Sequence, residues 1–372
     1  MSSIPRLYIR PVAPSIFLIV WLAMHPCAQG APVSWLAGGW ALNGLASGPN
    51  VHVWDRYSMT INDDGTFTGS GYDSTGDVDD STGIITPSST GFLISPTGES
   101  NPDIRCHVDA GNTVMACTDS WDSNAAYLGV LVRRTESYSM SDLAGDWNIS
   151  ALAAGPAAPW WMRASITVDG AGAFTGSNTR NEGATESMSG VLSLSTDGAL
   201  TCTSGCGNSG SLQGAMDSGK TVAAYTVTWQ DNTQAAGTTE IGVLTRKAQS
   251  CTLADLAGRW HVSSIASGPG APWWLRGLLT VGPDGAFTLS SVENSGSTEG
   301  TSGALLISPE GVVTCPTCSD AFYGVMDADK TVIVITMTWL DGGGEAGTTE
   351  LTICTKDSPA APLGSILPLL LE

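Results

Sequence analysis
The side chains that most often carry chemistry are few in this chain and do not converge. Four His are present, and three, His52, His107 and His261, lie beyond the first 30 residues. None of the three recurs at an equivalent place in the repeats described below. A nucleophilic relay needs a base within reach of its nucleophile and an acid to orient it. The chain has no Gly-x-Ser-x-Gly elbow, no His-Glu-x-x-His pair and no P-loop. Carboxylates do recur. Asp109, Asp217 and Asp327 each precede a tryptophan (Trp121, Trp229, Trp339) by 12 residues. They fall at a predicted hairpin turn, where Asp serves its own backbone. Glu240 and Glu350, each in Gly-Thr-Thr-Glu, lack the partner acid of a glycosidase pair. Asp73–Asp80 carries four Asp without EF-hand spacing, so a solvated loop is expected ahead of a calcium site. The expectation is no metal, no cofactor and no enzyme. A secreted hydrolase would need a convergent His or carboxylate pair in one repeat.

Cysteine chemistry is the second candidate. Nine Cys less Cys27, which falls in the export signal described below, leave eight. An even number in an exported chain reads as disulfides. Cys106 and Cys117 flank a Gly111-Asn112 turn that would set residue 106 opposite 117, a cross-strand pair. Cys202–Cys206 and Cys315–Cys318 are close enough to be zinc knuckles or redox pairs, but no His lies nearby and no helix follows. They read as loop staples.

The address follows from the N-terminus. Arg6 and Arg10, the apolar stretch Ile16–Met24 and the small residues Ala28 and Gly30 make a signal peptide over 1–30, cut before Ala31. Lipoprotein processing at Cys27 is disfavoured by Pro26 before it. The chain is therefore expected to be exported, to the periplasm, cell surface or medium of a bacterium. Charge agrees with a limited set of partners. Fifteen basic residues stand against 35 acidic ones, net −20, and losing the leader leaves 13 basic and a net charge near −22. Nucleic acid and anionic membrane both demand basic patches. No apolar run reaches the ~20 residues of a membrane span. With 42% hydrophobic residues the chain is not disordered.

The elements that must position any site come in three copies. Leu-Ala-Gly-x-Trp opens each copy at Leu36, Leu143 and Leu256. Counting from its tryptophan (Trp40, Trp147, Trp260), a second tryptophan lies at +14 (Trp54, Trp161, Trp274) and an arginine at +16 (Arg56, Arg163, Arg276). Glycine follows at +25 and Phe67, Phe174 and Phe287 at +27. The copies are 107 and 113 residues apart, which predicts three tandem domains at 31–137, 138–248 and 249–357. A Pro-rich linker and apolar tail occupy 358–372. Short β-branched runs alternate with turn signals such as Asp64-Gly65 and Glu310-Gly311. About eight strands per copy result, starting in the third near Trp260, Trp273, Phe287, Thr301, Gly311, Phe322, Thr331 and Thr348. The fold class is all-β, with antiparallel domains of about 110 residues that suit short eight-stranded up-and-down barrels. A β-sandwich and a six-bladed propeller are the alternatives. The propeller requires a half-repeat of about 55 residues, which is not seen.

Gly-x-Trp opening the first strand of a short all-β domain resembles the lipocalins and the wider calycin superfamily. The Gly-Pro-x-Ala-Pro-Trp-Trp-x-Arg block is similar to lipocalin-like repeat domains of exported bacterial proteins. The resemblance implies that Trp40, Trp147 and Trp260 close the barrel floor. A basic residue of the last strand (Arg133, Arg246, Lys356) would then pack across each as a cation–π contact. A disulfide between Cys251 and Cys354 would tie the seam of the third barrel.

Alternation on the second strand separates two faces. Trp160, Met162, Ala164, Ile166 and Val168 fall on one side and Trp161, Arg163, Ser165 and Thr167 on the other. Trp273, Leu275, Gly277, Leu279 and Val281 repeat the first set, which should fill the barrel. The Trp-x-Arg set faces outward or toward a neighbouring repeat. Trp54, Asp55, Arg56, Trp160, Trp161, Arg163, Trp273, Trp274 and Arg276 are the candidate contacts for a protein, a glycan or a small apolar ligand. A structural role for the repeated Trp-Arg pairs is weighted above binding. Asp55, where the other copies have Met162 and Leu275, is a site candidate if it points inward, but a strand end open to water is the preferred reading. The function expected is a monomeric, non-enzymatic surface scaffold or adhesion-type binding protein. A small-ligand carrier is the alternative.

Overall fold
Three sheets of antiparallel strands follow one another along the chain. The computed structural model describes residues 33–357 apart from 89–90, 98–103, 122–124, 136, 156–158, 182, 184, 207–211, 231–235, 270–271, 319–320 and 341–345. The expected leader over 1–30 and the expected linker and tail over 358–372 lie outside the described residues. No described helix is long and apolar enough to cross a membrane.

The first barrel comprises β1 (Gly38–Ser47), β2 (His52–Ile61), β3 (Thr66–Asp73), β4 (Val78–Ser88), β5 (Gly91–Pro96), β6 (Ile104–Val108), β7 (Val114–Trp121) and β8 (Ala125–Arg133). The second comprises β9 (Gly145–Ala154), β10 (Trp160–Val168), β11 (Ala173–Arg180), β12 (Thr185–Leu194), β13 (Ala199–Ser204), β14 (Gln213–Met216), β15 (Val222–Thr228) and β16 (Thr239–Arg246). Both are closed, each strand pairing with the next and the first with the last. This excludes the sandwich and the propeller.

The third repeat comprises β17 (Gly258–Ser267), β18 (Trp274–Val281), β19 (Ala286–Glu293), β20 (Thr298–Ala304), β21 (Leu306–Ile307), β22 (Val312–Thr314), β23 (Tyr323–Met326), β24 (Val332–Thr338) and β25 (Thr349–Lys356). Its ladder has nine strands where eight are expected, because the fourth strand breaks at Leu305. The Leu305 amide bonds back to the Gly285 carbonyl at 2.9 Å and its side chain is buried. At the equivalent place in the second barrel, the β12–β13 register shifts between Val191 and Leu192. The third repeat takes the same bend further.

A short helical turn closes the floor of each barrel: Ser34–Leu36, then α1 (Met140–Leu143) and α2 (Leu253–Leu256). Asp142 and Asp255 start the two α turns by accepting the amides of Ser139 and Thr252, each at 2.8 Å. The turn carbonyls are then satisfied from the barrel. Trp40, Trp147 and Trp260, all fully buried, donate their indole N–H to the carbonyls of Leu36, Leu143 and Leu256 at 2.8, 2.7 and 2.7 Å. The last-strand cation completes the closure. Arg133 donates to the Trp35 and Ala37 carbonyls, Arg246 to those of Asp142 and Ala144, and Lys356 to that of Asp255. The three cations lie 5.9, 4.4 and 5.1 Å from the centroids of Trp40, Trp147 and Trp260. The glycine of Gly-x-Trp follows from this packing. Gly145 has φ +126°, and a Cβ there would come within 2.8 Å of the Arg246 guanidinium.

Each lumen holds its own apolar core, for example Trp147, Ile166, Phe174, Leu200 and Met216 in the second barrel. A further core lies between the barrels. It joins Leu45, Leu128 and Val130 to Leu152, Ile241 and Val243 and to Ile265, Leu351 and Ile353. The last strand of each barrel is therefore buried on both faces. A two-sided burial explains why β8 reads as a nearly continuous apolar run, Ala-Ala-Tyr-Leu-Gly-Val-Leu-Val.

Cys106–Cys117, Cys202–Cys206 and Cys315–Cys318 are disulfides. The expected Cys251–Cys354 pair is corrected, since both thiols are free and buried. Cys354 stands opposite Val262 on the β17–β25 seam. Cys251 precedes α2 and bonds through its amide to the Pro309 carbonyl, beside the β21–β22 turn rather than at the seam. A chain of residues 31–372, denatured without reductant, should therefore titrate two thiols with a disulfide-exchange dye. Four disulfides would give none.

Candidate functional site
The outward Trp-x-Arg residues meet the neighbouring barrel, and they do so in a cycle. On β2, Arg56 stacks on its own Trp54 with the guanidinium 3.8 Å from the ring centroid. Its Nε donates to Thr226 Oγ1 at 2.7 Å and Nη2 to the Thr226 carbonyl at 2.6 Å, both on β15. Trp54 Nε1 donates to Thr228 Oγ1 at 2.6 Å. The second barrel repeats this on the third. Arg163 lies 3.7 Å over Trp161 and donates to Thr336 Oγ1 at 2.6 Å and to the Thr336 carbonyl at 2.7 Å, while Trp161 Nε1 reaches Thr338 Oγ1 at 2.7 Å. The third barrel returns to the first. Arg276 lies 3.9 Å over Trp274 and donates to Thr118 Oγ1 and the Thr118 carbonyl, and Trp274 Nε1 reaches Ser120 Oγ at 2.9 Å.

One heterologous contact made three times thus closes a ring within a single chain. Period-two geometry makes this possible, since residues two apart on β2 face two residues two apart on the partner strand. The acceptors Thr118, Thr226 and Thr336 are fully buried. Burial lowers the basicity of Arg56 and Arg163, taking Arg163 down to about 10. Hydroxyl and carbonyl oxygens provide the hydrogen bonds that a desolvated guanidinium requires.

Trp160 and Trp273, adjacent in sequence to clamp residues, turn the other way into the lumens. Trp160 packs edge-on against Trp229 at 5.8 Å, and Trp273 against Trp339 at 5.5 Å. Beside each pair is a buried carboxylate. Glu240 accepts from the Tyr225 hydroxyl at 2.7 Å and Trp229 Nε1 at 3.0 Å. Glu350 accepts from Trp339 Nε1 at 3.0 Å and the Thr352 hydroxyl at 2.8 Å. Burial pushes Glu240 up to about 7.

Asp55 is corrected. It is 5% exposed, not open to water, and both of its oxygens lie 3.0 Å from the Tyr127 hydroxyl. Burial raises it to about 7. The repeated Asp109, Asp217 and Asp327 accept amides of their own turns, including Val114, Val222 and Val332 at 2.8 Å each. Among the described residues no group of three His, Cys, Asp or Glu is placed to hold a metal.

Two features escaped sequence reasoning. The clamp acceptors had a readable signal, the Thr-x-Thr/Ser before Trp121, Trp229 and Trp339, but nothing marked them as partners of Arg. His107 and His261 stack at 4.1 Å with ring planes 9° apart, joining β6 to β17 where the third barrel meets the first. No repeat signals them, since both are single occurrences. Burial, with His261 and Arg276 alongside, takes His107 down to about 3.

No family model and no curated protein sequence matches the chain. Among solved structures it is similar to transferrin-binding protein B. A variant of that protein from Haemophilus parasuis is 8% identical, with 86% of this chain and 75% of that one covered and a TM-score of 0.31. The protein from Neisseria meningitidis is 8% identical over 86% and 76%, with a TM-score of 0.30. A protein of unknown function from Nostoc punctiforme is 9% identical over 86% and 96%, with a TM-score of 0.21.

Two outcomes follow. Arg163→Ala should lower stability by about 1.5–3 kcal/mol, the range for a hydrogen bond to a charged group. A double-mutant cycle with Thr336→Val, read from urea midpoints, should show a coupling of about 0.5–3 kcal/mol. The second concerns pH. Asp55 is raised when folded, so its contribution is complete below the unfolded carboxylate pKa and is lost as pH rises through about 7. His107 is depressed when folded, so its contribution holds above the unfolded His value and falls away toward pH 3. Above the ordinary His value of about 6.5 only the carboxylates act. Thermal midpoints should therefore drop between about pH 6.5 and 8, and Asp55→Asn should flatten that drop.

Proposed function
We propose that this chain is an exported, non-enzymatic binding scaffold that works as a monomer. The observation that carries the reading is the closed cycle of Trp-x-Arg clamps. It buries the recurring aromatic–cation faces between barrels and completes the ring without a second copy. Three disulfides support an oxidising compartment.

What the ring leaves outside are three equivalent hairpins, β3–β4, β11–β12 and β19–β20. The first halves of β4, β12 and β20 are exposed on successive residues. They carry Asp79 and Asp80, Glu186, and Glu299 among Thr and Ser. A strand wetted on both faces contributes little to a core, and acidic hydroxyl-rich tips suit a basic protein surface. The buried carboxylates Asp55 and Glu240 act in this reading as lumen hydrogen-bond acceptors.

Beads bearing the mature chain should bind arrayed basic extracellular proteins in a salt-sensitive way. A variant neutralised at Asp79, Asp80, Glu186 and Glu299 should lose that binding. Binding unchanged by the neutralisation would remove the hairpins as the contact surface. Turnover of chromogenic esters, glycosides or peptides that Asp55→Asn or Glu240→Gln abolishes would replace the scaffold reading with a hydrolase.

A further inference from the structure
The three junctions of the ring are built alike but are not filled alike. Where the second barrel meets the third, Tyr323 of β23 lies over the clamp, its ring centroid 4.8 Å from the Arg163 guanidinium. Where the third meets the first, the His107–His261 stack occupies the gap. At the remaining junction the corresponding positions hold small or flexible side chains. Gln213 stands at the position of Tyr323, and Ala41 and Ala215 stand at those of His261 and His107. A cleft of about 440 Å³ opens there between β1–β3 of the first barrel and β13–β14 of the second. That volume lies within the usual range of small-molecule sites, roughly 300–1,000 Å³.

The lining has a definite chemistry. Tyr72 supplies aromatic wall on the face it shares with Arg56, and Ala41, Ala199 and Ala215 supply apolar surface. Two guanidiniums, Arg56 and Arg134, line the cleft and no carboxylate does, in a chain of net charge −20. Arg134 bonds Ser58 Oγ at 2.6 Å and pairs at 3.4 Å with Asp197, a side chain 64% exposed. Such an open pair contributes little and exchanges readily for a better-placed anion.

We propose that this cleft is a binding site for a small planar aromatic anion, a carboxylate or sulfonate. The ring lies along Tyr72 and the anion faces Arg134. The site is separate from the hairpin surface, so it stands or falls independently of the scaffold reading.

The probe is anilinonaphthalene sulfonate, whose fluorescence rises in an apolar site, titrated into the mature chain. One saturable site is expected. Ser70→Trp, a change at an exposed residue on the cleft wall, should abolish it with the thermal midpoint unchanged. Arg134→Gln should weaken it about tenfold or more, which is 1.4 kcal/mol. The uncharged analogue phenylnaphthylamine should bind correspondingly weaker than the sulfonate. No saturable signal, or a signal that survives Ser70→Trp, would overturn the site. Equal binding of the charged and uncharged dyes would overturn its preference for anions.

Discussion

A buried guanidinium held by a ring face and by hydroxyl and carbonyl oxygens organises this molecule. Taking an arginine out of water is costly unless its donors are met. Here each clamp arginine is met by a ring face on its own strand and by one threonine, hydroxyl and carbonyl together, on the next barrel. The geometry is demanding, because the same threonine must present both oxygens while a second hydroxyl two residues on takes the indole N–H. An ion pair would tolerate more sliding. Directional hydrogen bonds hold one register between barrels, and the cycle makes each junction a condition for the other two.

The clamps do not act alone. They frame a core to which β8, β16 and β25 contribute their outer faces. An isolated barrel would expose that apolar face to water, the kind of patch that drives association. Small lumens and a shared core are therefore two consequences of one plan. The inner face of each strand seals a lumen against the floor tryptophan, and the outer face seals the barrel against its neighbours. Both faces being committed, variation is left to the barrel mouths, the hairpins and the junctions.

Much of this plan was legible from residue spacing. The threefold repeat, the strand positions and the alternation that sends Trp160 inward and Trp161 outward all follow from local periodicity, which the backbone enforces residue by residue. The Cys106–Cys117 pair follows from one turn. What was not legible depends on non-local placement. A linear repeat does not say that the third copy returns to the first, so Thr118 had no reason to be linked to Arg276. Cys251 and Cys354 stand near the two ends of one repeat, but the path through α2 carries Cys251 away from the seam. Asp55 looked like a wet strand end because its partner, Tyr127, lies 72 residues away on a strand joined through β1.

Departures from the repeat carry more functional information than the repeat itself. A residue kept in all three copies serves what the copies share, which is closure and docking. The position held by Ala41, Asn148 and His261 illustrates the converse. In one junction it meets Ala215, in the next Val325 stands at the partner position, and in the third it meets His107 across a ring stack. The same backbone thus yields an open cleft at one junction and a titratable aromatic contact at another. Closing the ring requires only the clamp at each junction, so the space beside it is free to diverge. The junction that holds the cleft is lined by Arg56 and Arg134 in an acidic protein.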